Sequence, residues 1–283
     1  MAARASKPGL RPGEDGGSAR REETTATMKR TAKAKQRPLL ATMTMEPFQP
    51  VRLYYRIPDR SVVVRGLRRL ACMAEDPGEG CWQWLFHAEA ASLRFGAGYE
   101  DVPEERRPII LGRIRFPESG GMTLQTNSIP RAIEGARFLG PRLGPRVIAT
   151  RLRLVNRCFA ADEGAPDELM KGLDRDVTVI DPRWAEADLK EALVGARSTE
   201  DVERAAANLL ERKLASGEEV PEVEDFPLAP EEETPDFREL ATTLQFRLVR
   251  AVEHWRGNTH LTLAAIIRNT VLKATPGRGG PPV

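Results

Sequence analysis

Histidine, cysteine and tyrosine occur only three times each in the 283 residues, and there are 8 lysines against 35 arginines. Cys72, Cys81 and Cys158 are an odd number with no apolar leader ahead of them, which argues against a disulfide framework and suits a reducing cytoplasm. No run approaches the roughly 20 apolar residues that span a bilayer, so no membrane partner is expected. The basic N-terminus also lacks the apolar centre of an export signal. A Walker loop, a strand-linked dinucleotide fingerprint and a nucleophile elbow are all missing, which removes three common enzyme classes.

Net charge is small as well. The 43 basic and 41 acidic side chains leave +2, too little for a strong field toward nucleic acid or membrane. The charges are, however, segregated along the chain. Residues 1–45 hold ten Lys or Arg against four Asp or Glu, and residues 218–236 hold nine acids and no base.

The apolar pattern predicts an α+β domain over residues 49–160. Leu53, Tyr55 and Ile57 alternate with polar neighbours as in a half-buried strand, and Asp59 can cap a helix carrying Val63, Leu67, Leu70 and Ala74 on one face. Trp82, Trp84 and Phe86 mark a second strand, and Ala88 to Phe95 a short helix. Ile110 to Phe116 and Met122 to Thr126 form a hairpin about the Pro117–Gly121 turn. A helix follows from Ile129 until Gly140 and Pro141 stop it, and Ile148, Thr150, Leu152 and Leu154 mark a last strand. The order βαβ then ββαβ implies a mixed or antiparallel sheet with helices on one side, followed by a helical C-terminal region.

Around this domain, residues 1–48 read as a disordered basic tail in which Met28, Met43 and Met45 are alternative starts. Residues 161–182 read as a linker able to add an edge strand near Val177. Residues 183–216 are a helical segment in which Ser198 and Asp201 cap an apolar stripe. Residues 217–235 are an acidic, proline-rich linker, 236–274 a helical hairpin opened by Asp236 and Glu239, and 275–283 a flexible tail.

Four constellations are candidates for function. Cys72, Cys81, His87 and Cys158 could form a Cys3His zinc set, but zinc ligands usually come in pairs two to four residues apart, so buried thiols are the preferred reading and no metal or cofactor is expected. Asn127, Ser128 and Arg131 at a helix start could hold an anion, although ordinary capping accounts for the same residues. Arg113 and Arg115 on one strand and Arg151 and Arg153 on another should point away from the core. If those strands are neighbours, the sheet carries a basic patch that Arg52 and Arg56 extend, with Tyr54 as the candidate for base stacking. The two C-terminal helices have the outline of a helix-turn-helix, but the second is too apolar to read DNA. An enzyme would need scattered residues such as Cys81, His87 and Glu89 to meet in one pocket.

The run LGRIRF, a glycine turn, MTLQTNS and PRAIEGARFLG, within residues 108–144, resembles a hairpin-helix segment of uncharacterised bacterial proteins, some of which carry a zinc-chelating SEC-C segment. The resemblance implies a bacterial origin and the local fold. The SEC-C cysteines are missing here, so it implies neither metal binding nor an activity. Taken together, the sequence points to a non-enzymatic intracellular protein that acts as an interaction or regulatory module. Its expected contacts are with a protein partner or a second copy through the C-terminal helices. The alternative is a nucleic-acid-associated regulator that uses the arginine strands or the basic tail.

Overall fold

A computed structural model describes residues 37–180, 182–217, 220–228 and 237–274. The predicted tail as far as residue 36, residues 229–235, Asp236 as a cap and the tail from 275 lie outside the described residues.

The elements follow in the order β1 (Val51–Arg56), α1 (Arg60–Leu67), β2 (Met73–Asp76), β3 (Cys81–Leu85), β4 (Ile110–Arg115), β5 (Met122–Thr126), α2 (Ile129–Leu143), β6 (Ile148–Val155), α3 (Pro166–Met170), β7 (Val177–Val179), α4 (Pro182–Ala192), α5 (Thr199–Ser216), β8 (Val223–Pro227), α6 (Phe237–Trp255) and α7 (Leu263–Ala274). The strands form one mixed sheet in the order β2-β3-β4-β5-β1-β6-β8-β7, antiparallel except for the β7–β8 pair. This is the α+β class that the sequence predicts, with α1, α2 and α6 packed on one side.

Period-two alternation puts Val51, Leu53, Tyr55, Trp82, Trp84, Ile114, Leu124 and Leu152 on the covered face, where they bury against α1, α2 and α6. Trp84 is fully buried against Phe138, with ring centroids 5.5 Å apart. α2 approaches closely because residue 135 is glycine: a Cβ there would lie 2.5 Å from Leu124 and 3.0 Å from Trp84. A smaller core of Phe48, Val155, Phe159, Leu173 and Val223 forms at one end of the sheet.

The helix starts follow the capping residues. The Asp59 carboxylate accepts from the N–H groups of Ser61 and Val62, and the Ser198 hydroxyl accepts from Asp201 N. α1, however, stops at Leu67 where the apolar spacing predicts continuation through Ala74. The cause is distant in sequence. The Glu89 carboxylate accepts from Ala71 N at 3.1 Å and Cys72 N at 3.0 Å, which turns the chain into β2. Those bonds and one from Glu89's own N–H hold its carboxyl down at about 2. The segment from Ala88 shortens to a single 3-10 turn, Ala88–Ala90. α2 runs past Gly140 and Pro141 to Leu143, because the bond that Pro141 cannot donate falls in the last turn, and Gly144 at φ 104° ends the helix.

Two segments expected to lie outside the domain belong to it. Residues 37–48 are ordered: Leu40 N donates to Phe159 O at 2.8 Å, Phe48 N donates to Leu40 O at 2.9 Å, and Phe48, Thr44 and Glu46 are buried. The acidic stretch 217–235 carries β8, which lies inside the sheet between β6 and β7. Its acids have basic partners there, which is why a charged tract can hold an interior position. Val223, Glu224, Asp225 and Phe226 are all buried.

Glu224 also decides where the C-terminal helices go. Arg247 of α6 donates two hydrogen bonds to the Glu224 carboxylate, both at 2.7 Å, and Asn156 Nδ2 adds a third at 2.8 Å. α6 thereby packs on α2 with Leu240, Leu244 and Ala251 buried, α7 packs on α6 and α5, and α4 packs on α5. None of the described helices is long and apolar enough to cross a membrane.

Arg247→Met should lower stability in urea denaturation by about 3–5 kcal/mol, because it leaves the Glu224 charge buried without a counter-ion. Adding Glu224→Leu to that variant should recover much of the loss.

Candidate interaction surface: the arginine face of the sheet

The same alternation that buries Leu53 and Tyr55 turns Arg52 and Tyr54 to the opposite face. The registers align these outward residues into two rows across the sheet. One runs Gln83, Arg113, Gln125, Arg52, Arg153, Asp225 from β3 to β8, and the other Arg115, Thr123, Tyr54, Arg151 from β4 to β6. β4 and β6 are not neighbours, as a single basic patch would require: β5 and β1 separate them, and Arg52 links the two arginine pairs.

Every arginine in the rows has an acidic partner. Arg52 holds Asp174 through two bonds of 2.7 and 3.0 Å, and Arg153 reaches Asp174 at 3.1 Å and Asp225 at 2.5 and 2.7 Å. Arg151 Nε lies 3.5 Å from Asp225 Oδ1, and its guanidinium stacks on the Tyr54 ring at 3.8 Å. Hydrogen bonding from Arg52 holds the Asp174 carboxyl below the usual carboxylate range.

The pairs at the other end are looser. Arg113 meets Asp167 at 3.1 Å, and Arg115 meets the Glu79 carboxylate at 3.4 Å and its backbone carbonyl at 2.8 Å. Here the acids are 78% and 64% exposed, whereas Asp225 is 2% exposed. Exposed pairs are screened and worth about 0–1 kcal/mol, while desolvated charge-assisted bonds hold their groups in place. The face therefore combines Arg153, fixed by the buried Asp225, and Arg52, itself largely buried and bidentate on the half-exposed Asp174, with two that can change partner, Arg113 and Arg115.

Two hollows lie over the rows. One of about 730 Å³ runs between β4, β5 and the segment from Ala165 to Asp174. Another of about 1090 Å³ passes Tyr54 and Arg151 to the Pro117–Gly120 turn, and both are lined by Arg52, Arg115 and Gln125. The acids that complete the face, Asp167, Asp174 and Asp225, all come from stretches that read as linkers. Val223 and Phe226, two apolar residues inside the acidic tract, were the signal for a strand there.

At the start of α2 the anion facing Arg131 is the chain's own. Arg131 is buried, with Nη1 donating to Asn127 Oδ1 at 2.9 Å and Ile110 O at 3.0 Å, Nη2 donating to Thr44 Oγ1 at 2.7 Å, and Nε 3.7 Å from the Glu46 carboxylate. Thr42 and Thr44 donate their hydroxyls to Glu46. Ser128 caps the helix through Arg131 N at 3.3 Å. Burial lowers Arg131 to about 10, against the opposing pull of Glu46. Of the three residues proposed for an external anion, Arg131 thus clamps residues 42–46 to the domain, with Asn127 accepting from its guanidinium and Ser128 capping the helix.

The remaining candidates do not converge. Cys81 opens β3 and His87 lies two residues beyond its other end, and Glu89 is engaged by the backbone of Ala71 and Cys72. Burial raises the Cys72 and Cys158 thiols to about 12 and raises Cys81 as well, which disfavours the nucleophilic thiolate. Among the described residues no three His, Cys, Asp or Glu groups come together to hold a metal. Arg268 of α7 lies 3.3 Å from Glu211 of α5.

Asp225→Asn should cost about 1–3 kcal/mol in urea denaturation followed by tryptophan fluorescence, because it weakens desolvated bonds to Arg153. Asp167→Asn, on an exposed pair, should stay within about 0.5 kcal/mol of the parent. Compared with protein-family models, with curated proteins and with solved structures, the chain matches none of them.

Proposed function

We propose that this chain is a non-enzymatic protein-interaction module that docks its partner on the arginine face of the sheet. The observation that carries the reading is the pair of aligned rows of Arg, Gln and Tyr side chains, overlaid only in part by α3 and the turn after it and held in position by carboxylates. Arginine and tyrosine dominate the energetics of protein interfaces, and side chains already held by ion pairs lose less freedom on binding. The sequence favoured the C-terminal helices for this role. The stripe of α6 is occupied in cis by α2 and β8, which moves the reading to the sheet.

The nucleic-acid alternative draws less support from the same geometry. Arg52, Arg151 and Arg153 are held by Asp174 and Asp225, so Arg113 and Arg115 are left without the continuous basic track that a phosphate backbone needs. Tyr54, the one aromatic candidate for stacking, is capped by Arg151.

Replacing Gln125 with photoreactive p-benzoylphenylalanine and irradiating cells of the source organism tests the reading. A protease-sensitive adduct should form from position 125 and not from the same group at Arg69, an exposed position after α1. A nuclease-sensitive adduct, or the same adducts from both positions, would count against it.

A further inference from the structure

We propose that Arg113 and Arg115 bind two carboxylates, two residues apart on an extended acidic segment of the partner, in exchange for Asp167 and Glu79; this rests on the docking reading above. The argument is one of charge and spacing. Both arginines project from β4 into the 730 Å³ hollow, and residues two apart on a strand repeat at about 6.6–6.8 Å, the spacing of alternate side chains on any extended peptide. A segment lying along β4 therefore presents its alternate side chains in step with the two guanidinium groups.

Exchange is easy at these positions and not at their neighbours. Asp167 and Glu79 are mostly in water and return to it at little cost; each carboxylate bridge is a single contact of 3.1 or 3.4 Å, and the 2.8 Å bond from Arg115 to the Glu79 backbone carbonyl leaves the other Nη of Arg115 for the partner. Arg52 and Arg153 are tied to Asp174 and Asp225 by several shorter bonds. They form the fixed wall, beside which Gln125 has a side-chain amide with no hydrogen-bond partner among the described residues and is available to the partner backbone. Carboxylate is the anion of choice because this protein pairs its own arginines that way: Arg52 with Asp174, Arg153 with Asp225 and Arg247 with Glu224.

The test is fluorescence anisotropy of the full chain with a labelled short peptide of alternating Thr and Glu, at low and moderate salt. Binding should weaken about tenfold or more in Arg113→Gln and in Arg115→Gln, as expected for loss of a charge-assisted bond, and stay unchanged in Arg69→Gln. Both test arginines are more than a third exposed, so the fold survives their replacement. A peptide with Gln for Glu should not bind. Equal binding by all variants, no binding by the parent, or tighter binding of a phosphoserine version would overturn the proposal. If the peptide fails while the Gln125 adduct still forms, the carboxylate pairing falls and the docking face stands; if both fail, both readings fall.

Discussion

An eight-stranded sheet with α1, α2 and α6 on one face has to keep its other face compatible with water, and here guanidinium–carboxylate pairing does so. Asp225 sits on β8 beneath Arg153 and Arg151, and Asp174 sits above Arg52 and Arg153. These contacts join β1, β6, β8 and the segment after α3, residues far apart in sequence. Without the two carboxylates, Arg52 and Arg153 would be half-desolvated like charges on adjacent strands, which repel. The pairing thus supports the sheet at its centre and leaves the face polar.

The same chemistry, placed deeper, holds the periphery. Glu224 on the covered side of β8 brings α6 to the sheet through Arg247, and Glu46 beneath Arg131 ties residues 42–46 to the start of α2. Successive residues of β8 therefore act on opposite faces, Glu224 toward the helices and Asp225 toward the arginine rows, because side chains alternate along a strand. One short acidic strand couples the docking of the C-terminal helices to the geometry of the open face.

Local periodicity made much of this legible. β1, β3, the β4–β5 hairpin, α2 and β6 are elements whose own residues carry the pattern, and Arg113, Arg115, Arg151 and Arg153 do turn away from the apolar face. What could not be read depends on partners distant in the chain. β2 exists because Glu89 turns the backbone at Ala71 and Cys72, eighteen and seventeen residues earlier. β8 looks like a linker until Arg153, Asn156 and Arg247 account for its charges, and residues 37–48 look like a tail until Arg131 accounts for Glu46. Strand order was equally hidden, since nothing in the spacing of β4 and β6 says that β5 and β1 lie between them.

The claim on which the account turns is that this face contains locked and exchangeable arginines side by side. The most direct measurement is solvent exchange of the arginine Nε–H protons by nitrogen-15 NMR on the full chain. The account predicts slow exchange and restricted motion for Arg153, whose Nε donates to Asp225 at 2.7 Å, and fast exchange for Arg115, whose contacts are made through Nη atoms with the exposed Glu79. Equal exchange at the two would contradict it.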